Sequence, residues 1–237
     1  MRALLLAGGK GTRLLPHTAK IPKPLLPLGE LPIIEIVLRQ LASCGFDRVT
    51  LLLNHLHHLF AGVLGDGQKY GLDIDYVVED AVLGTAGSIA LVQDLPDDFI
   101  VMNGDLLTTL DYRNLFMSHC ESENIGSIAT NRRVHKVDFG VVESNNKKEL
   151  VAFKEKPELA YNVSMGVNVL NRKCLKFIQS GVYLDMPDLM TNMNDAGLMV
   201  RVFEQDCYWQ DIGRPDDYEK AALDFEADPN MFLNLYS

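Results

Sequence analysis

Positive charge is in short supply: 22 lysines and arginines stand against 32 aspartates and glutamates, for a formal net charge of −10. That deficit argues against nucleic acid or an anionic membrane surface as partner, because both need a basic footprint. A small phosphorylated ligand stays open, since it needs only a local cluster of cations. The four cysteines, Cys44, Cys120, Cys174 and Cys207, are far apart and form no CxxC. Neither a zinc set nor a redox pair is indicated, and they read as reduced thiols of a cytoplasmic protein. No apolar stretch is long enough to cross a bilayer. Met1-Arg2 runs straight into a short apolar segment ending at Gly8, without the pattern of a secretory leader. No linker rich in Gly, Ser or Pro marks a boundary, and no internal repeat is found. What is left is an ordinary globular composition, 47% hydrophobic and 23% charged over 237 residues. A chain of that length can bury a sizeable core without staples.

In the first half, short apolar runs alternate with helical patterns. Residues 3–6, 48–53, 73–78 and 99–102 read as strands, and 33–44, 55–64 and 85–92 as helices. Ile34, Val37, Leu38 and Leu41 have helical spacing, with Gly45 as a stop signal, and Gly65-Asp66-Gly67 reads as a turn. This order predicts an α/β, Rossmann-like fold whose mostly parallel mixed sheet is flanked by helices. The second half supplies strand candidates at 127–130, 139–143, 150–153, 163–170 and 199–203 with fewer helices. It reads as an extension of the sheet within a single domain, residues 1–237.

Directly after the first apolar run stands Leu6-Ala7-Gly8-Gly9-Lys10-Gly11-Thr12-Arg13-Leu14. A glycine-rich loop there can place backbone N–H groups around an anion. The P-loop spacing fails, because no Gly-Lys-Ser/Thr follows. The dinucleotide pattern fails as well, because Leu14 stands where its third glycine belongs. A plain glycine-rich turn between strand and helix remains open. Downstream, Ile21-Pro22-Lys23-Pro24-Leu25 holds a lysine between two prolines. Arg13 and Lys23 share one long excursion at the carboxyl end of a strand, where open α/β sheets bind ligands.

The two motifs together, GGKGTRL at residues 8–14 and Pro22-Lys23-Pro24, resemble the sugar-1-phosphate nucleotidyltransferases, also called nucleoside-diphosphate-sugar pyrophosphorylases. The wording is most similar to the mannose-1-phosphate guanylyltransferase-like branch, and the resemblance runs in order to about residue 224. It implies a nucleotide-binding part, 1–110, and a sugar-phosphate-binding part, 111–225. Leu6, Ala7, Gly8, Gly9, Gly11, Thr12 and Arg13 are then expected around the nucleotide, with Arg13 and Lys23 catalytic.

Leu83-Gly84-Thr85-Ala86-Gly87 reads by itself as a turn with Thr85 as a helix N-cap. The resemblance makes Gly84 and Thr85 readers of the base. Asp105, in Asn103-Gly104-Asp105, and Asp211, in Trp209-Gln210-Asp211-Ile212-Gly213, match the family's metal ligands and are expected to meet in space on Mg²⁺. The only tryptophan reads as a core anchor. An unpaired aspartate buried beside it would be costly. Phe153-Lys154-Glu155-Lys156-Pro157 matches a motif in which Glu155 takes sugar hydroxyls and Lys156 the sugar phosphate. Phe139-Gly140-Val141-Val142 matches another, with Phe139 in place of the family's tyrosine and Gly140 letting the backbone approach the sugar. Asn162 and Gly166 stand at the far wall of the sugar pocket. His55, His57 and His58 read as a solvated helix rather than a metal set.

The implied reaction is Mg²⁺-dependent nucleotidyl transfer from a nucleoside triphosphate to a sugar 1-phosphate, most similar to GTP with a mannose- or heptose-type sugar. Rival readings are a uridylyltransferase for an amino sugar or glucose 1-phosphate, and a non-catalytic nucleotide-sugar-binding subunit. A glycosyltransferase is a third. Its D-x-D motif has the spelling of Asp73-Ile74-Asp75, but those residues open a strand and read as a turn. The apolar run at residues 231–236 suits packing on its own domain or on a second subunit, so a homo-oligomer stays open.

Overall fold

The computed structural model describes residues 1–9, 11–54 and 56–233; Lys10, His55 and residues 234–237 lie outside them. In chain order the strands are β1 (Arg2–Leu6), β2 (Pro27–Leu28), β3 (Leu31–Pro32), β4 (Arg48–Leu53), β5 (Asp73–Val78), β6 (Asp98–Asn103), β7 (Leu106–Thr108), β8 (Gly126–Lys136), β9 (Val141–Ser144), β10 (Leu150–Lys154), β11 (Glu158–Asn171), β12 (Val200–Glu204) and β13 (Trp209–Asp211). The helices are α1 (Ile33–Ser43), α2 (His57–Leu64), α3 (Gly84–Gly87), α4 (Tyr112–Cys120), α5 (Met186–Asp195), α6 (Pro215–Ala227) and α7 (Pro229–Leu233).

Seven strands form the main sheet in the order β12-β8-β11-β6-β1-β4-β5. β1 is parallel to β4 and β6, β4 to β5, and β12 to β8, while β11 runs antiparallel to both β6 and β8. The sheet takes strands from both halves of the chain. β1 can be an unbroken apolar run because it is covered on both faces. Ala3 and Leu5 join the cluster around Val37, Leu41 and Phe60. Leu4 faces the other way, toward Phe99, Val101 and Leu189. α1 buries the stripe Ile34, Val37, Leu38 and Leu41, and Gly45 follows it at φ +84°.

A third cluster anchors the long excursion after β1. Leu14, Leu26 and Leu28 pack with Leu107, Ile212, Ala221, Phe225 and Phe232. The Tyr218 hydroxyl adds a hydrogen bond to the Pro27 carbonyl at 2.6 Å. Phe232, from the apolar run near the end, is fully buried on its own domain, and Gln40 donates to its carbonyl at 3.0 Å. Residues 234–236 of that run lie outside the described residues.

The second half departs from the sequence reading in two ways. β8 and β11 are much longer than the strands expected at 127–130 and 163–170, pairing from Lys136–Glu158 inward with a register shift between Ser164 and Asn168. Their outer ends carry a separate hairpin, β9 with β10. Helix α5 was not foreseen, although Met186, Leu189, Met190 and Met193 have helical spacing and are buried. The segment 85–92 is not one helix: α3 ends after one turn, and Ser88–Leu91 continues as a 3₁₀ turn.

Candidate active site

The carboxyl ends of β1, β4 and β6 open into a cavity of about 490 Å³. Its lining includes every residue expected around the nucleotide, namely Leu6, Ala7, Gly8, Gly9, Gly11, Thr12, Arg13, Gly84 and Thr85, together with Lys23, Asp105 and Asp211. Gly11 has φ +60°, and a Cβ there would stand 2.9 Å from Thr18 Cγ2, so the loop's sharp return needs glycine. The Thr18 hydroxyl and the Leu14 N–H both donate to the Gly11 carbonyl, at 2.7 and 2.9 Å, which closes the turn. Arg13 is exposed and makes no hydrogen bond or ion pair with any described residue.

The two distant aspartates do meet. β13 pairs antiparallel with β7, setting Asp211 opposite Leu106, next to Asp105. The Lys23 ammonium lies in close contact with Asp105 Oδ2 and 3.9 Å from Asp211 Oδ1. The side chain of Asp211 is 53% exposed, so it is not the buried carboxylate that its neighbour Trp209 suggested. The surrounding cleft still holds its carboxyl above the usual range by desolvation; Lys23 opposes this, and the Asp105 and Asp217 charges add to it. Two carboxylates share one lysine here, leaving negative charge partly uncompensated. Trp209 is half-buried against the core, and its indole N–H donates to the Met165 carbonyl at 3.1 Å.

The loop at Gly84 is built against the start of α5. Ala86 and Gly87 donate to the Leu184 carbonyl at 2.9 and 3.0 Å, and Leu184 donates back to Leu83. Thr85 does not cap its own helix. Its hydroxyl accepts from the Met186 N–H at 2.7 Å and donates to Asp185 Oδ1 at 3.2 Å, so it helps cap α5 instead. Hydrogen bonds from the Tyr183 hydroxyl and the Thr85 N–H hold the Asp185 carboxyl below the usual range. Gly84 sits at φ +77°, and a Cβ would fall 2.5 Å from the Leu184 carbonyl oxygen. Gly84→Ala is expected to destabilise the protein by about 1–3 kcal/mol or more, read by denaturant unfolding. An unchanged midpoint would show that this turn is not constrained. Asn54, Glu79, Tyr183 and Asp185 also line the cavity and were not foreseen. Asp185 alone carried a signal, an acidic residue one position before a helix that has Pro187 in its first turn.

A second cavity of about 530 Å³ shares Leu6, Thr85, Asn103 and Asp211 with the first. Gly166 lines it; Asn162 lines neither cavity, and its side chain bonds Glu204. Gly140 directly precedes β9, and Glu155 and Lys156 directly follow β10, so the three lie at the open base of the hairpin and outside both cavities. They are near one another: a Cβ on Gly140 would lie 3.1 Å from Glu155 Oε2. Lys156 takes a positive φ of 44°. The hairpin's apolar side chains, Phe139, Val142, Leu150 and Phe153, are exposed.

His57 and His58 are exposed on α2, His55 lies outside the described residues, and no group of three or more metal-ligating side chains is assembled among the described residues. Asp73-Ile74-Asp75 lies within β5 rather than in a turn. Asp75 accepts from Arg48 at 2.6 Å and Arg2 at 3.5 Å, which makes it part of a structural ion-pair cluster. Among the described residues no helix is long and apolar enough to cross a membrane.

The sequence profile of the nucleotidyl transferase family matches residues 2–228. The chain belongs to this family. The resemblance read from the glycine loop and the Pro-Lys-Pro motif therefore holds at the level of the family. Among the family's members, the chain is 32% identical to a UTP–glucose-1-phosphate uridylyltransferase of Synechocystis sp., over 93% of this chain and 62% of that protein. It is 28% identical to the D-glycero-alpha-D-manno-heptose 1-phosphate guanylyltransferase of Aneurinibacillus thermoaerophilus, over 95% of this chain and 99% of that one. It thus spans less than two thirds of the first relative's length and nearly all of the second. The fold matches the crystal structure of HddC from Yersinia pseudotuberculosis with a TM-score of 0.71 at 25% identity, covering 94% of this chain and 99% of the other.

Proposed function

We propose that this nucleotidyl transferase moves a nucleoside monophosphate from a nucleoside triphosphate to a sugar 1-phosphate. The observation that carries the reading is the meeting of Asp105, Asp211 and Lys23 in the wall of the first cavity, with Asp211 also lining the second. The first cavity suits the nucleotide, with the glycine loop at its phosphate end and the Gly84 loop as the base reader. The second suits the sugar.

A phosphate oxygen of the sugar 1-phosphate attacks the α-phosphorus. A P–O bond forms to it while the bond to the β-phosphate oxygen breaks, and pyrophosphate leaves in line. The attacking group is already anionic, so no strong base and no enzyme nucleophile is required. The chain's task is alignment and relief of repulsion between two polyanions. Backbone N–H groups of Gly8, Gly9 and Gly11 face the triphosphate. Arg13, without an ion pair among the described residues, offers its guanidinium to charge developing on the α-phosphate and the leaving group. Lys23 neutralises phosphate near the reacting centre.

Asp105 and Asp211 are the residues that would hold Mg²⁺, which commonly takes one or two carboxylates and completes its shell with water and substrate phosphates. Their shared lysine and the uncompensated charge at Asp211 fit a divalent cation. When bound, the ion supplies Lewis-acid polarisation and screening of the phosphates. For Glu155 and Lys156 to reach the sugar phosphate, the hairpin that bears them has to approach the second cavity.

GTP with a mannose- or heptose-type 1-phosphate is the preferred pair, supported by the loop wording and by the heptose 1-phosphate guanylyltransferase of nearly equal length. UTP with glucose 1-phosphate is the second, favoured by the Synechocystis relative. The test is pyrophosphate release with Mg²⁺ over GTP, UTP, dTTP, CTP and ATP, each against a panel of sugar 1-phosphates. Release confined to one pair supports the proposal and names the substrates. Release from no pair, despite saturable nucleotide-sugar binding, would replace it with a binding protein.

A further inference from the structure

Resting on the reading of the second cavity as the sugar site, we propose that Asn168 is a specificity residue there and that the cavity takes a neutral, hydroxyl-bearing sugar. Asn168 lies on β11, paired with Val101 of β6, and is only 5% exposed. Its side-chain amide makes no hydrogen bond with any described residue, yet it lines the cavity beside Met186, Met190 and Ile128. Buried amides are almost always paired within the protein, and this one instead leaves its donors and acceptor open to the cavity, where water or a ligand can take them. Here it faces a space large enough for a sugar ring.

The other polar side chains of the lining are mostly engaged. Thr191 donates to the Pro187 carbonyl, Thr85 is held by Asp185 and Met186, and Ser164 Oγ accepts from the Gly166 N–H. Asn103, at the end of β6, is the second amide of the lining with no side-chain hydrogen bond to a described residue, and it lies at the border of the two cavities. Two free amides offer both donors and acceptors, the pattern that suits vicinal hydroxyls. The walls around them, Met165, Met186, Met190 and Trp209, suit the C–H face of a sugar.

Charge narrows the choice. Among the described residues, Asp211 is the only ionisable side chain in the lining, and no lysine or arginine is part of it. A sugar bearing a carboxylate or a second phosphate would place a new negative charge there without a countercharge, beside an existing one.

The test compares wild type with Asn168→Leu, which keeps the volume and removes the amide. If the amide serves a ligand rather than the fold, the variant melts within about 2 °C of the wild type, because no hydrogen bond to a described residue is lost. The KM for α-mannose 1-phosphate then rises about three- to tenfold, while the KM for the nucleotide is unchanged. Wild-type kcat/KM for glucuronic acid 1-phosphate is at least about 100-fold below that for glucose 1-phosphate. A melting temperature lowered beyond that range, an unchanged sugar KM, or equal use of the glucuronic acid compound would overturn the proposal. Absence of turnover with every pair refutes the proposed reaction instead. Calorimetric binding of mannose 1-phosphate then decides this inference: binding weakened in Asn168→Leu upholds it, and equal or absent binding rejects it.

Discussion

Arg13→Ala is expected to lower turnover by on the order of 10²–10³ while the protein remains folded. The size follows from the role: a guanidinium that meets charge developing in the transition state acts as a preorganised donor, and removing one such donor typically has this effect. The fold is spared because Arg13 holds nothing together. It is exposed, without hydrogen bond or ion pair among the described residues, and its neighbour Leu14 provides the buried anchor of the loop. A substitution of that kind should move the melting temperature by no more than about 2 °C. Steady-state kinetics beside a thermal melt checks both halves. Wild-type turnover in the folded variant would remove Arg13 from the reaction.

Chelation of divalent cations, and separately Asp105→Ala, should each reduce turnover by on the order of 10³ or more, since metal polarisation of a phosphoryl centre is worth several kcal/mol. The variant is the sharper arm, because its structural consequence can be stated. Removing Asp105 takes away the close partner of Lys23 and leaves Asp211, 3.9 Å away, as the remaining counterion. The lysine is therefore not left as an unpaired buried charge, and the fold persists. A Mg²⁺ titration distinguishes the two effects. Wild type recovers fully from chelation at millimolar Mg²⁺ or below, whereas Asp105→Ala does not reach wild-type turnover at any concentration. Full activity in chelator would show that the carboxylate pair serves only to position Lys23.

The central part of the fold was legible because its signals are local. The strands at 48–53 and 73–78 and the helix after residue 33 appear almost as read, since the buried β4 is mostly apolar, the edge strand β5 opens with alternating polar and apolar residues, and an amphipathic helix must repeat its apolar stripe. The second half was harder for a physical reason. The outer ends of β8 and β11 are paired but exposed on both faces, so no alternation marks them. In α5 the methionine stripe was present, but it followed a run of turns and short 3₁₀ helix that masks periodicity.

The candidate site divides in the same way. The glycine loop and the Pro-Lys-Pro lysine could be found in sequence because both belong to one excursion after one strand. Their residue types already determined an anion-binding reading: small residues with cations nearby. That Asp105 and Asp211 form a pair, by contrast, depends on β7 and β13 lying antiparallel. Thr85 shows how tertiary contacts reassign a residue, since the α5 backbone takes the hydroxyl that seemed meant for its own helix. Asn168 carried no signal at all, because nothing about an asparagine within an apolar run tells that its amide opens into a cavity rather than bonding within the fold. The sequence by itself determined the family and the strands and helix of the first half, and it located the glycine loop, each marked by neighbours in the chain. The tertiary structure alone decided that Asp105 and Asp211 share Lys23 and that two cavities adjoin at Asp211, because those depend on distances between residues far apart in sequence.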